Sequence, residues 1–70
     1  MKIEIGAMVN GVFIKNGDTV KIRCKEAENR NGFYATVTDI DEERIVFLPE
    51  DDDFTSYFYW NELDFIELIQ

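Results

Sequence analysis

Apolar and polar residues alternate with a period of two along most of this chain, and helical spacing is scarce, so the chain reads as strand-rich. Lys2 to Ile5 alternates charged and β-branched residues ahead of Gly6. Met8 to Lys15 is an apolar stretch broken by the turn pair Asn10-Gly11. Asn16-Gly17-Asp18 then separates Val12-Phe13-Ile14 from Thr19 to Cys24, as expected of a tight connection that uses positive φ at Asn or Gly. In the strand that follows, Val20, Ile22 and Cys24 share one face, and Lys21 and Arg23 the other.

Lys25 to Asn31 is polar and precedes Gly32, which marks a loop between strands. Phe33 to Ile40 reads as the next strand, with Phe33, Ala35 and Val37 pointing one way. Asp41-Glu42-Glu43 makes a turn into a short apolar strand, Arg44 to Leu48, that ends at Pro49. After the acidic run Glu50 to Asp53, Phe54 to Trp60 is a strand by its aromatic and β-branched content. Asn61-Glu62-Leu63 looks like a single helical or 3₁₀ turn, and Asp64 to Ile69 closes the chain as a last strand. The pattern predicts one all-β domain over residues 1–70, a small antiparallel barrel of five or six short strands, because closure removes the exposed edges of a flat sheet. Val20, Ile22, Ala35, Val37, Phe47, Phe58, Ile66 and Leu68 form the expected core.

The stretches Gly17-Asp-Thr-Val-Lys-Ile-Arg, Asn31-Gly32-Phe-Tyr-Ala-Thr-Val-Thr-Asp-Ile-Asp and Arg44-Ile-Val-Phe-Leu, taken in order, resemble the strand and turn sequence of SH3-like barrels. Within that group the chain is most similar to the KOW and Tudor-like branches. The turn at Trp60 to Leu63 sits where those barrels place a 3₁₀ turn before their last strand. The resemblance covers residues 12 to 69. It implies the fold and not the function: KOW-type barrels that hold RNA carry basic loops and a second glycine near the position of Ala35, and this chain has neither.

Length and charge narrow the partners. Seventy residues sit near the lower limit for a single apolar core, and ten aromatics (six Phe, three Tyr, one Trp) are too many for a disordered chain. Residues 1–38 hold six bases (Lys2, Lys15, Lys21, Arg23, Lys25, Arg30) against four acids, whereas residues 39–70 hold eleven acids against Arg44 alone. The halves therefore come to plus 2 and minus 10, within a net charge of −8. Such a partition favours an acidic working surface in the second half and opposes a phosphate-seeking one, so neither generic nucleic acid nor an anionic membrane is an expected partner. Lone Cys24 cannot form an internal disulfide, and no export segment is visible, which gives a cytoplasmic expectation. Oligomeric state stays open.

Catalysis has little to work with. The chain has no histidine, which removes the Ser-His-Asp and Cys-His arrangements, and one cysteine cannot make a zinc site. Glu50 to Asp53 lacks the spacing of a calcium loop. Neither an enzyme, a metal site nor a cofactor is expected. Cys24 reads as a buried structural thiol. In the aromatic run, Phe58 is assigned to the core, Trp60 to the boundary, and Tyr57 and Tyr59 to the outer face. Glu50, Asp51, Asp52, Asp53, Tyr57 and Tyr59 are thus the candidate partner-binding residues, an acidic surface flanked by aromatics that suits a basic protein surface. The alternative is an acidic nucleic-acid mimic that occupies the groove of a DNA- or RNA-binding protein, of the kind phages and mobile elements encode. A further alternative is an RNA- or ribosome-associated barrel working through Lys21, Arg23, Lys25 and Arg30.

Overall fold

The computed structural model describes residues 6–9, 11–25 and 32–69. The expected strand Lys2 to Ile5, Asn10, and most of the loop before Gly32, Arg30 included, lie outside them. Among the described residues there are seven strands: β1 (Gly6–Val9), β2 (Val12–Lys15), β3 (Thr19–Cys24), β4 (Phe33–Ile40), β5 (Arg44–Pro49), β6 (Ser56–Tyr59) and β7 (Leu63–Leu68). A 3₁₀ turn, Trp60–Glu62, joins the last two.

All pairings are antiparallel. β1 and β2 form a hairpin of their own, in which Val9 faces Val12 across the turn at Gly11. The other strands form a five-stranded sheet in the order β6-β5-β4-β3-β7. The Asn16-Gly17-Asp18 turn therefore does not fold β2 back on β3 as a hairpin; it carries the chain from one sheet to the other. Its backbone is tied to β4, with Gly17 N–H donating to the Val37 carbonyl at 2.8 Å and Val37 N–H to the Asp18 carbonyl at 2.9 Å. Asp18 is buried, and its carboxylate accepts Lys15 N–H at 3.0 Å and pairs with Lys15 Nζ at 3.1 Å.

The closed barrel of five or six strands is not what forms. Among the described residues β6 and β7 are the two edges of an open sheet, and no ladder joins them. The reason is local: β6 is only four residues long and passes straight into the 3₁₀ turn, where Trp60 N–H donates to the Glu43 carbonyl and Lys25 N–H to the Glu62 carbonyl. The chain thus crosses from one edge to the other through loop contacts.

Cross-strand partners share a face, and the inward face stacks Ile22 with Phe33 and Ile66, Val20 with Ala35 and Leu68, Val37 with Phe47, and Ile45 with Phe58. Six of the eight expected core residues are buried, and Phe58 and Leu68 are half-buried against them. Ile14, Ile40 and Ile45 complete the core. Ile40 reaches it through a register shift between Val37 and Asp39, which puts two residues of opposite parity on the same side. Phe33, Phe47 and Phe58 form a ring cluster with centroids 5.2 to 6.3 Å apart, a spacing typical of tilted aromatic packing. Cys24, expected buried, is half-buried, because the ladder to β7 slips between Arg23 and Cys24. Among the described residues no helix is long and apolar enough to cross a membrane.

Candidate functional site

The acidic run begins where β5 leaves the sheet. Pro49, opposite Ala35, ends the strand, and Glu50 N–H donates to the Tyr34 carbonyl at 3.0 Å, so the start of the run is fixed against β4. Asp52 N–H closes the turn on the Pro49 carbonyl at 3.1 Å. The Asp52 carboxylate then accepts Asp53 N–H at 2.8 Å and Phe54 N–H at 3.3 Å. Aspartate is suited to this role because its short side chain reaches the backbone one and two residues on. Asp52 therefore organises the loop, and Glu50, Asp51 and Asp53 carry charge outward from it. All four acids are exposed, and Phe54, at the exit of the loop, is 77% exposed.

Besides Phe54, an exposed aromatic beside these acids is Tyr34. A groove of about 420 Å³ is lined by Gly32, Phe33, Tyr34, Pro49, Glu50, Asp51 and Asp52, and Tyr34 is exposed. Parity within β4 already turned Tyr34 outward, opposite to Phe33 and Ala35. What brings it beside the acids is the long-range register of β4 on β5, for which residue pattern gives no direct signal.

Tyr57 and Tyr59 lie on the outer face as expected, with Phe58 inward and Trp60 half-buried. Their rings meet edge to face at 5.5 Å. β6 runs away from the acidic loop, however, and places Tyr57 opposite Val46 and Tyr59 opposite Arg44, at the far end of β5. The six candidate residues accordingly form two groups. The tyrosine pair also holds a cation of its own: the Arg44 guanidinium lies 5.0 Å over the Tyr57 ring and pairs with Asp41 at 3.8 Å. Tyr57 pushes the Tyr59 phenol above its ordinary value, first by charge and then by hydrogen bonding.

Asp41 shapes the turn at that far end. Its Oδ1 accepts Glu43 N–H at 2.8 Å and Arg44 N–H at 2.9 Å. These two bonds, with Arg44 charge as a smaller aid, hold its carboxyl below the usual carboxylate range, so it is ionised at neutral pH.

The basic side chains of β3 are engaged from both neighbouring strands. Lys21 stands opposite Glu67 and lies 5.7 Å over the Tyr34 ring. Arg23 is ion-paired with Asp64 and lies 4.9 Å over Phe65. Among the described residues no group of three or more acidic or cysteine side chains is placed to hold a metal ion. Compared with protein-family models, curated proteins and solved structures, the chain matches none.

Proposed function

We propose that this chain is a non-enzymatic interaction module of SH3-like type that binds a basic surface on a partner protein. The observation that carries the reading is the acidic loop, anchored by its backbone to β4 and β5 beside exposed Tyr34. A charged loop held in one conformation loses less entropy on binding than a loose one. Carboxylates steer a cationic partner in, and an adjacent aromatic face adds cation–π contact. Tyr57 and Tyr59 form a separate aromatic patch on the same sheet. The SH3-like assignment is supported by chain order: a meander from β3 to β6, a 3₁₀ turn, then a return strand paired with the first strand of the meander. The ion pair of Arg23 with Asp64, and the position of Lys21 opposite Glu67 and over the Tyr34 ring, disfavour the RNA-binding alternative, since both bases of β3 have an acid or an aromatic ring beside them.

The test is capture of a partner from the native host, followed by binding kinetics with the wild-type chain and with a variant in which Glu50 becomes Gln and Asp51, Asp52 and Asp53 become Asn. Association with the variant should slow and lose most of its salt dependence, while dissociation changes less. Equal kinetics in low and high salt would reduce the run to a solvating device. Capture of a nucleic-acid-binding protein, displaced by its own nucleic acid, would favour the mimic.

A further inference from the structure

A second groove, of about 470 Å³, opens at the other end of β5, between the β1–β2 hairpin and the turn at Asp41. Ala7 and Val9, which pack on the core, and buried Ile40 give it an apolar base. Met8, 66% exposed, forms its lip. Trp60 makes one wall, and that wall is fixed: the indole Nε1–H donates to the Asp41 carbonyl at 2.9 Å, and Trp60 N–H donates to the Glu43 carbonyl at 3.0 Å. Gly6, Asp41 and Glu42 complete the lining. The Asp41 Oδ1 is used by the turn, whereas Oδ2 keeps a single ion pair with Arg44 at 3.8 Å, beyond hydrogen-bond reach.

An apolar base, an aromatic wall and carboxylates at the rim are complementary to one kind of side chain, an alkyl stem ending in a cation. Arginine matches best, because its planar guanidinium stacks on an indole and donates along its edge to carboxylates. We propose that this groove is a second binding site, for an arginine side chain of a partner protein. It is independent of the Glu50–Asp53 loop and stands whether or not that loop binds anything.

Trp60 is the chain's one tryptophan, so the site carries its own reporter. The probe is Nα-acetyl-arginine amide, titrated into ¹⁵N-labelled full-length chain at about 150 mM salt, with the citrulline analogue as a neutral mimic of the same shape. The expected result is saturable movement of the Trp60 indole resonance and of the Met8, Asp41 and Glu42 amides, with a Kd on the order of millimolar, as befits one side chain. Citrulline should bind at least about fivefold more weakly. Glu42→Gln, a change at an exposed side chain, should weaken arginine binding about threefold without altering the rest of the spectrum. Trp60→Phe should reduce it further. Equal binding of citrulline and arginine, movement confined to Tyr34 and the Glu50–Asp53 loop, or an unchanged Kd in Glu42→Gln would each overturn the proposal.

Discussion

At Asp18 one side chain does the work of a whole turn. Its carboxylate takes up Lys15 N–H and Lys15 Nζ, while its own N–H donates to the Lys15 carbonyl at 3.2 Å. The Lys15 N–H bond is the main cause that holds the carboxyl below its ordinary value; burial opposes it, and the Lys15 ammonium adds a smaller lowering. A depressed carboxyl contributes stability that is complete above its unfolded pKa of about 3.9 and is lost as pH falls through the folded value. Urea unfolding from pH 7 down to 3 should therefore show stability declining below about pH 4. Asp18→Asn keeps an acceptor for Lys15 N–H but loses the ion pair, so it should be less stable by about 1–2 kcal/mol at pH 7 and show a shallower acid decline. An identical slope in the variant would remove Asp18 from the account. Core truncations rank by burial on the same scale. Phe47 is 1% exposed and central to the three-ring cluster, so Phe47→Ala should cost about 3–5 kcal/mol and leave a chain this small unfolded. Half-buried Phe58 should cost less when truncated.

Two glycines show how elements depend on single positions. Gly17 and Gly32 both hold positive φ, 94° and 81°, but their surroundings differ. A Cβ on Gly17 would meet open space, whereas one on Gly32 would lie 2.8 Å from the Ile22 carbonyl oxygen. Gly17→Ala should cost about 1–2 kcal/mol through backbone strain alone. Gly32→Ala adds a clash with the β3 backbone and should cost about 2–4 kcal/mol; thermal denaturation of the two variants side by side checks the order. The difference also marks where sequence is legible. Both glycines were visible as punctuation, as was the inward parity of Val20, Ile22, Ala35, Val37, Phe47 and Ile66, because these follow from local φ and the two-residue repeat. Ile40 was not, since its burial depends on a slip in the β4–β5 ladder, and neither was Tyr34 as neighbour of the acids. Such facts belong to pairing between distant segments. The same holds for Tyr57 and Arg44: an aromatic strand and a lone base are plain in the sequence, but their stacking depends on the β5–β6 register.

Among the described residues, the charge divided along the chain meets in space where β3 lies beside β7. The bases of β3 lie beside the acids of β7, with Arg23 ion-paired to Asp64 and Lys21 opposite Glu67, and further acids gather at the two ends of β5: Glu50 to Asp53 at one, Asp41 to Glu43 at the other, where Arg44 pairs with Asp41. Exposed cations that are already paired contribute little to a long-range field, and a net charge of −8 repels phosphate within a Debye length of about 8 Å at physiological salt. Binding to DNA or RNA needs several phosphate contacts to offset that repulsion, each releasing counterions. Anisotropy titrations with labelled duplex DNA and single-stranded RNA at about 150 mM salt should accordingly show no binding up to roughly 10 μM protein. Removing the pairing acids gives the sharper comparison. Asp64→Asn breaks the Arg23 ion pair, Glu67→Gln removes the carboxylate opposite Lys21, and together they bring the net charge from −8 to −6, so any latent affinity should appear first in this variant and weaken steeply with salt. Micromolar binding by the wild-type chain, abolished by Lys21→Ala and Arg23→Ala, would mean instead that the β3 face engages phosphate despite its partners, and the reading of this molecule would move from its acidic ends to its basic strand.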